Sequence, residues 1–156
     1  MSPQHDTDIQ KVDRFDLGKG ARALDNAYKV DGLITDGPGV NLFLIVTGCL
    51  PLTSYDPTYQ ALGLFHACWQ GLVKGMVQAA VKRMQSEFSV NPAELVADIG
   101  PSVGPCCYKI DLKTEKYRET DKLTASNKVW IHSGNLILST VVTILMSGSG
   151  SLPKTG

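Results

Sequence analysis

Apolar residues recur at intervals of three and four along residues 71–88. They are Val73, Met76, Val77, Ala80, Val81, Met84 and Phe88, and lysine and glutamine residues stand between them. This period is typical of an amphipathic helix that buries one face, so the pattern predicts a helix over 71–88. Asn91, Pro92 and Glu94 follow in the order of an N-cap, a first-turn proline and a capping-box acid. They predict a short second helix.

Two apolar runs before that helix indicate strands. Residues 41–46 (NLFLIV) form a continuous apolar run after a glycine- and proline-rich turn, which is typical of a strand buried on both faces. This strand would end at Cys49. A second strand is predicted at 61–65, entered from a turn at 54–57, and it would deliver His66. Both strands would therefore carry a candidate metal ligand at their ends.

The remaining chain has weaker signals. Residues 10–30 show no sustained period and predict a loop with at most a short helix. Strands are predicted at 95–99 and 136–146, and the glycines and prolines of 100–105 predict an irregular loop between them. Together these elements favour an α/β fold, with a mixed sheet flanked by helices and the site at strand ends.

Composition narrows the class of protein. The chain has 156 residues, 43% of them hydrophobic, and its fifteen basic residues balance fifteen acidic ones. This predicts one globular domain over 1–146 that has neither nucleic acid nor membrane as a partner. The polar amino terminus predicts a cytoplasmic protein. Residues 147–156 read as a flexible Gly/Ser-rich tail; their final LPKTG matches a sortase pentapeptide, which we interpret as chance or an added tag.

Candidate chemistry rests on histidine and cysteine. In a reducing compartment the four cysteines are better interpreted as thiols or ligands than as disulfides. Catalytic zinc takes three protein ligands from His, Cys and carboxylate, with a fourth position open. His5, Cys49 and His66 would form such a set if the first segment folds back onto the strand ends. Their spacing alone favours a surface histidine, a buried thiol and a hydrogen-bonded core histidine over a zinc site.

Four segments carry a resemblance to a known family. DGLITDGPGV, VTGCLP, FHACWQGLVKG and IGPSVGPCCYKI occur in one order over about two thirds of the chain, from His5 to Ile110. In this the chain resembles the YfiH/laccase-domain family, known as multicopper polyphenol oxidases or purine nucleoside phosphorylases. Family members continue beyond both ends of this stretch, so we expect a partial domain. The resemblance implies layers of helices and sheet.

The family binds one zinc ion through segments like QVHGTDV, TADCLP and HAGWRG. The resemblance therefore implies His5, Cys49 and His66 as zinc ligands, with Cys49 and His66 at the catalytic centre. It also implies a group of residues beside the substrate: Gln70, Gly104, Cys107 and Tyr108. The implied reaction is phosphorolysis of adenosine, inosine, guanosine and methylthioadenosine, with adenosine deamination at the same site. Nucleoside and phosphate would be the partners of a monomer or homodimer.

Four positions depart from the family segments. Gly48 stands where the family has Asp, and Gln70 where it has Arg or Lys. Cys68 stands where it has Gly, and Lys109 where it has Glu. Cys68 would either crowd the site or become a fourth ligand that closes it. Two alternatives follow. One is a copper-dependent polyphenol oxidase, which would need more histidines than the three present; the other is a non-catalytic zinc-binding domain.

Overall fold

The centre of the fold is a five-stranded mixed sheet. The structure is a computed structural model that describes residues 1–103 and, by backbone alone, residues 131–132 and 135–136. The sheet's strands are β1 (Ile9–Lys11), β2 (Gly32–Thr35), β3 (Leu50–Asp56), β4 (Ala61–Ala67) and β5 (Val96–Ile99). Their order is β1-β2-β4-β3-β5, and the β1–β2 pair is parallel whereas the others are antiparallel. Two further short strands, β6 (Ile131–His132) and β7 (Asn135–Leu136), pair with each other.

Two α-helices follow β4 directly. They are α1 (Trp69–Lys74) and α2 (Met76–Phe88), and the predicted helix over 71–88 is thus divided in two. The division occurs at Gly75, whose φ of 93° lies in the left-handed region. A residue in this conformation ends a helix, so Gly75 is the C-cap of α1. Short 3-10 helices lie at Arg14–Asp16, Leu24–Asn26 and Pro92–Glu94. The last confirms the helix predicted after Asn91, whose side chain accepts a hydrogen bond from the Ala93 N–H.

The core lies between α2 and the sheet. Five of the seven positions in the predicted apolar stripe are buried, namely Met76, Val77, Ala80, Met84 and Phe88. On the sheet, Phe65 fills the space above two glycines. A Cβ at Gly32 would lie 2.7 Å from the Phe65 ring, and one at Gly63 would lie 2.5 Å from it. Because these two glycines have no side chains, the ring of Phe65, the residue before His66, can pack closely against the backbone at both positions.

The strand predicted at 41–46 is wrong. The segment runs beside the amino terminus, where the Met1 ammonium donates to the Phe43 carbonyl, and it belongs to no strand. Its residues alternate between exposed and half-buried, and Phe43 and Ile45 are 66% and 55% exposed. A continuous apolar run predicts a segment that is buried on both faces. Within the described residues, however, only every second side chain of 41–46 is even partly buried.

The sheet instead uses three strands that the pattern did not reveal, namely β1, β2 and β3. The turn predicted at 54–57 is wrong for its first three residues, because β3 extends to Asp56 and the turn follows it. Strand predictions at 61–65 and 95–99 are confirmed by β4 and β5. Within 10–30 the chain adds the end of β1 and two 3-10 helices. The predicted strand at 136–146, apart from its first residue, and the tail at 147–156 lie outside the described residues.

The predicted α/β class is confirmed by this mixed sheet with helices packed on it. Among the described helices, none combines the length and the apolar character needed to cross a membrane.

Met84→Ala tests the packing of α2 on the sheet. Met84 has no exposed surface and belongs to the main core cluster. Truncation leaves a cavity, so we expect the free energy of unfolding to fall by about 2–4 kcal/mol in urea denaturation. Gln85→Ala, at the exposed neighbouring position of the same helix, is the matched control and should change it by less than about 0.5 kcal/mol. Equal effects of the two changes would contradict this packing.

Candidate metal centre

The candidate site is organised around the carboxylate of Asp31, at the residue just before β2. This carboxylate has no exposed surface. Its Oδ1 accepts a hydrogen bond from the His5 N–H at 3.0 Å, and its Oδ2 accepts from the N–H groups of Gln4 and Asp6 at 3.0 and 2.9 Å. Three successive backbone N–H groups that converge on one anion form a nest. The nest fixes the first segment of the chain against the sheet.

His5 takes an unusual backbone conformation to form this nest. Its φ is 60°, in the left-handed region that non-glycine residues rarely adopt. Such a conformation costs about 1 kcal/mol or more, which the hydrogen bonds to the buried carboxylate offset. Lys74 adds a contact from α1, because its ammonium donates to the His5 carbonyl at 3.2 Å and to the Asp6 carboxylate at 2.9 Å. That ion pair is half-exposed and therefore contributes less than the nest.

The same carboxylate orients His66, the penultimate residue of β4. His66 Nδ1 lies 2.9 Å from Asp31 Oδ1, and the His66 backbone N–H donates to the Asp31 carbonyl at 2.7 Å. A carboxylate oxygen accepts, so the ring donates from Nδ1 and keeps the lone pair on Nε2. This carboxylate–histidine arrangement is the one that metal-binding histidines use. The His66 side chain is therefore prepared as a ligand through Nε2.

The structure brings together His5, His66 and Cys68, whereas Cys49, the third ligand expected from the sequence, is not in this cluster. The rings of His5 and His66 have centroids 5.2 Å apart, at an angle of 56°. Ligand atoms of His5, His66 and Cys68 all lie within 4.8 Å of one another. His66 and Cys68 are buried whereas His5 is exposed, so the cluster is open to solvent on the His5 side. Imidazole nitrogen and thiolate sulfur are the ligands that zinc prefers, and the residues present therefore fit that ion.

Cys68 is the N-cap of α1, and its Sγ accepts a hydrogen bond from the Gly71 N–H at 3.3 Å. Burial raises the pKa of the Cys68 thiol; the backbone N–H of Gly71 opposes this effect, and the charge of Cys49 adds to it. Binding of a metal would therefore have to displace the thiol proton.

Cys49 stands immediately before β3, half-buried. Burial raises the pKa of its thiol, and the negative charge of Asp31 raises it further. The preceding Gly48 has a φ of 85°, and its carbonyl accepts a hydrogen bond from the Val103 N–H at 3.1 Å. The start of the glycine- and proline-rich loop thus lies against the turn that carries Cys49.

The remaining implied site residues divide into two groups. Gln70 is described, as the second residue of α1, two positions from Cys68. Three others, Gly104, Cys107 and Tyr108, lie outside the described residues. Neither Asp31 nor Lys74 was expected to belong to the site. The available signal for Asp31 was its position directly before β2, whose four residues are all buried.

A separate pocket lies between the amino terminus and the segment at 41–43. Its volume is about 100 Å³, and its lining includes Met1, Tyr28, Leu33 and Phe43. Small-molecule sites usually have volumes of roughly 300–1,000 Å³. This pocket is too small for a nucleoside, and none of the three clustered ligands lines it.

Comparison with known proteins identifies a family profile and several similar proteins. A family profile described as "Multi-copper polyphenol oxidoreductase laccase" matches residues 1–138. The purine nucleoside phosphorylase YlmD of Bacillus subtilis is 41% identical over 108 residues, which are 69% of this chain and 39% of that protein. The human purine nucleoside phosphorylase LACC1 is 36% identical over 80 residues, 51% of this chain and 19% of that protein.

A solved structure resembles the fold over most of the chain. The hypothetical protein YfiH of Bacillus licheniformis superposes with a TM-score of 0.82 at 33% identity, covering 95% of this chain and 57% of that one. The chain thus spans about two fifths of the Bacillus subtilis relative and less than two thirds of the solved one.

Asp31→Asn tests the role of the buried carboxylate. Asparagine offers one acceptor oxygen and turns an NH₂ group toward N–H donors, so part of the nest loses its partner. We expect the metal-free protein to lose about 2–4 kcal/mol of unfolding free energy in urea. Asp36→Asn removes an exposed carboxylate 3.5 Å from Lys11 and is the matched control, expected to cost less than about 1 kcal/mol. A loss at Asp31 no larger than this would refute the proposed role.

Proposed function

Because the chain belongs to the multi-copper polyphenol oxidoreductase laccase family, also called the YfiH family, we propose that it is a zinc-dependent purine nucleoside phosphorylase. The proposed substrates are adenosine, inosine, guanosine and methylthioadenosine, together with phosphate, and adenosine deamination is a second proposed reaction. The names of the relatives from Bacillus subtilis and human support the reaction class. We further propose that the protein acts in the cytoplasm as a monomer or homodimer.

The observation that carries this proposal is that His5 and His66, two of the three proposed ligands, cluster with the Cys68 thiol beside a buried carboxylate. Cys49 is proposed from the family resemblance and is not a member of that cluster. We propose His5, Cys49 and His66 as the zinc ligands, with Cys49 and His66 at the catalytic centre. When bound, zinc supplies a Lewis acid that polarises oxygen and lowers the pKa of water. Asp31 keeps the proton on His66 Nδ1 and so directs the lone pair of Nε2 into the site.

Substrate recognition is assigned to the segments beside the cluster. Gln70, at the start of α1, would donate its amide to phosphate or base, with less electrostatic attraction for phosphate than an arginine has. Gly104, Cys107 and Tyr108 follow Val103 in the sequence, and the Val103 N–H donates a hydrogen bond to the Gly48 carbonyl. That contact supports a substrate position next to Cys49.

The description of the family as a laccase favours a second candidate, copper-dependent oxidation of phenols. Multicopper sites bind several ions through many histidines, and this chain has three. A site with thiol and imidazole ligands fits a single zinc ion better. We therefore rank phosphorolysis above phenol oxidation.

His66→Ala tests the proposal on one preparation. We expect near-stoichiometric zinc in the purified wild type by elemental analysis, and phosphate-dependent release of free base from adenosine and inosine by chromatography. His66→Ala should lose zinc and base release together, because the ligand held by Asp31 is removed. Lys82→Ala, on the exposed side of α2, is the control and should keep both.

Three results would contradict the proposal. Base release that survives His66→Ala would remove the site from the reaction. Copper with oxygen-dependent oxidation of a phenol would favour the second candidate. Zinc without turnover on any of the nucleosides would indicate a non-catalytic metal-binding domain.

A further inference from the structure

Cys68 is in the position of a metal ligand, although the family segment HAGWRG has glycine there. Its Sγ belongs to the cluster in which ligand atoms of His5, His66 and Cys68 lie within 4.8 Å of one another. The side chain is buried and directed inward, with 1% of its surface exposed. This chain therefore brings to the site a soft ligand that the family segment lacks.

Cys49 is outside the three-residue cluster, but it stands one residue before β3, and Cys68 stands one residue after β4. In the antiparallel β3–β4 pair, Leu50 lies opposite Ala67 and Pro51 lies opposite His66. Both cysteines therefore stand at the same end of this strand pair, just beyond its last printed partners.

A backbone donor already faces the Cys68 sulfur. The Gly71 N–H already donates to its Sγ at 3.3 Å, a bond that strengthens when the acceptor is charged. Metal binding neutralises the two thiolates while both imidazoles remain uncharged. Two sulfur and two nitrogen donors are a common tetrahedral set for structural zinc.

We propose that Cys68 is a fourth protein ligand, so that the metal in this chain is held by His5, Cys49, His66 and Cys68. On binding, each thiol releases its proton to solvent and forms a sulfur–metal bond, with no change in oxidation state. The inference rests on the metal of the proposed function, but it is independent of phosphorolysis.

A four-ligand site has a direct consequence for reactivity. Catalytic zinc sites keep one position for water or substrate, whereas structural sites are closed by four protein ligands. With Cys68 bound, phosphate or nucleoside would have to displace a protein ligand before it reached the metal. The wild type should therefore turn over more slowly per bound metal than Cys68→Gly, which restores the residue of the family segment.

Cobalt(II) binding to the reduced, metal-free protein counts the thiolates directly. Cobalt replaces zinc in tetrahedral sites, and its near-ultraviolet charge-transfer absorption grows with the number of bound sulfurs. We expect Cys68→Gly, Cys68→Ser and Cys49→Ser each to lose about half of this absorption per bound cobalt, because each removes one of two sulfurs. Zinc affinity should fall about tenfold or more in each, as even supporting residues cost that much.

The variants separate ligand loss from misfolding. Glycine is tolerated at an N-cap, and serine keeps an acceptor for the Gly71 N–H, so both Cys68 variants should retain the far-ultraviolet circular dichroism of the wild type. Full absorption in both Cys68 variants, with complete loss in Cys49→Ser, would overturn the inference in favour of a single thiolate.

The outcomes also distinguish this inference from the proposed function. Two bound thiolates without base release would support the inference while the proposed reaction fails. One bound thiolate with base release would overturn the inference while the reaction stands. A wild type that binds neither cobalt nor zinc would overturn the inference together with the metal of the proposed function.

Discussion

Asp31 places a carboxylate where no water reaches it, and the site depends on how that charge is satisfied. Removing a carboxylate from water costs several kcal/mol unless hydrogen bonds replace those of the solvent. Here three backbone N–H groups from residues 4–6 and the ring of His66 replace them. The hydrogen bonds that stabilise this buried charge therefore hold the first segment of the chain against β4. Without it, His5 would have little reason to lie beside His66.

Local periodicity predicted the elements whose burial is visible in residue type. Helix α2 was predictable because its buried side chains are apolar and recur at helical spacing. Strand β3 was not, because the face it buries includes Ser54 and Asp56, so its alternating burial is not an alternation of hydrophobicity. The error at 41–46 has the opposite cause, since apolar residues there remain largely exposed in the described residues.

The site was predictable only in part, because its contacts join distant segments. His5 lies 26 residues from Asp31, and His66 lies 35 residues from it. No spacing rule covers such separations, and only the family resemblance favoured a zinc site at His5, Cys49 and His66 over unrelated roles for these residues. Cys68 was noticed as a departure from a family segment, but its place in the ligand cluster required the geometry of β4 and α1. Asp31 itself gave no sequence signal of its role beyond its place before a buried strand.

The site combines two features that favour different uses of a metal. The buried carboxylate and the histidine that it orients are compatible with a reactive centre, whereas a second thiol favours a closed one. X-ray absorption at the zinc edge of the zinc-loaded wild type tests most directly that these residues form a metal centre. We expect two sulfur neighbours at about 2.3 Å and two nitrogen neighbours at about 2.0–2.1 Å. A shell of oxygen and nitrogen alone, or a protein that retains no zinc, would contradict this expectation.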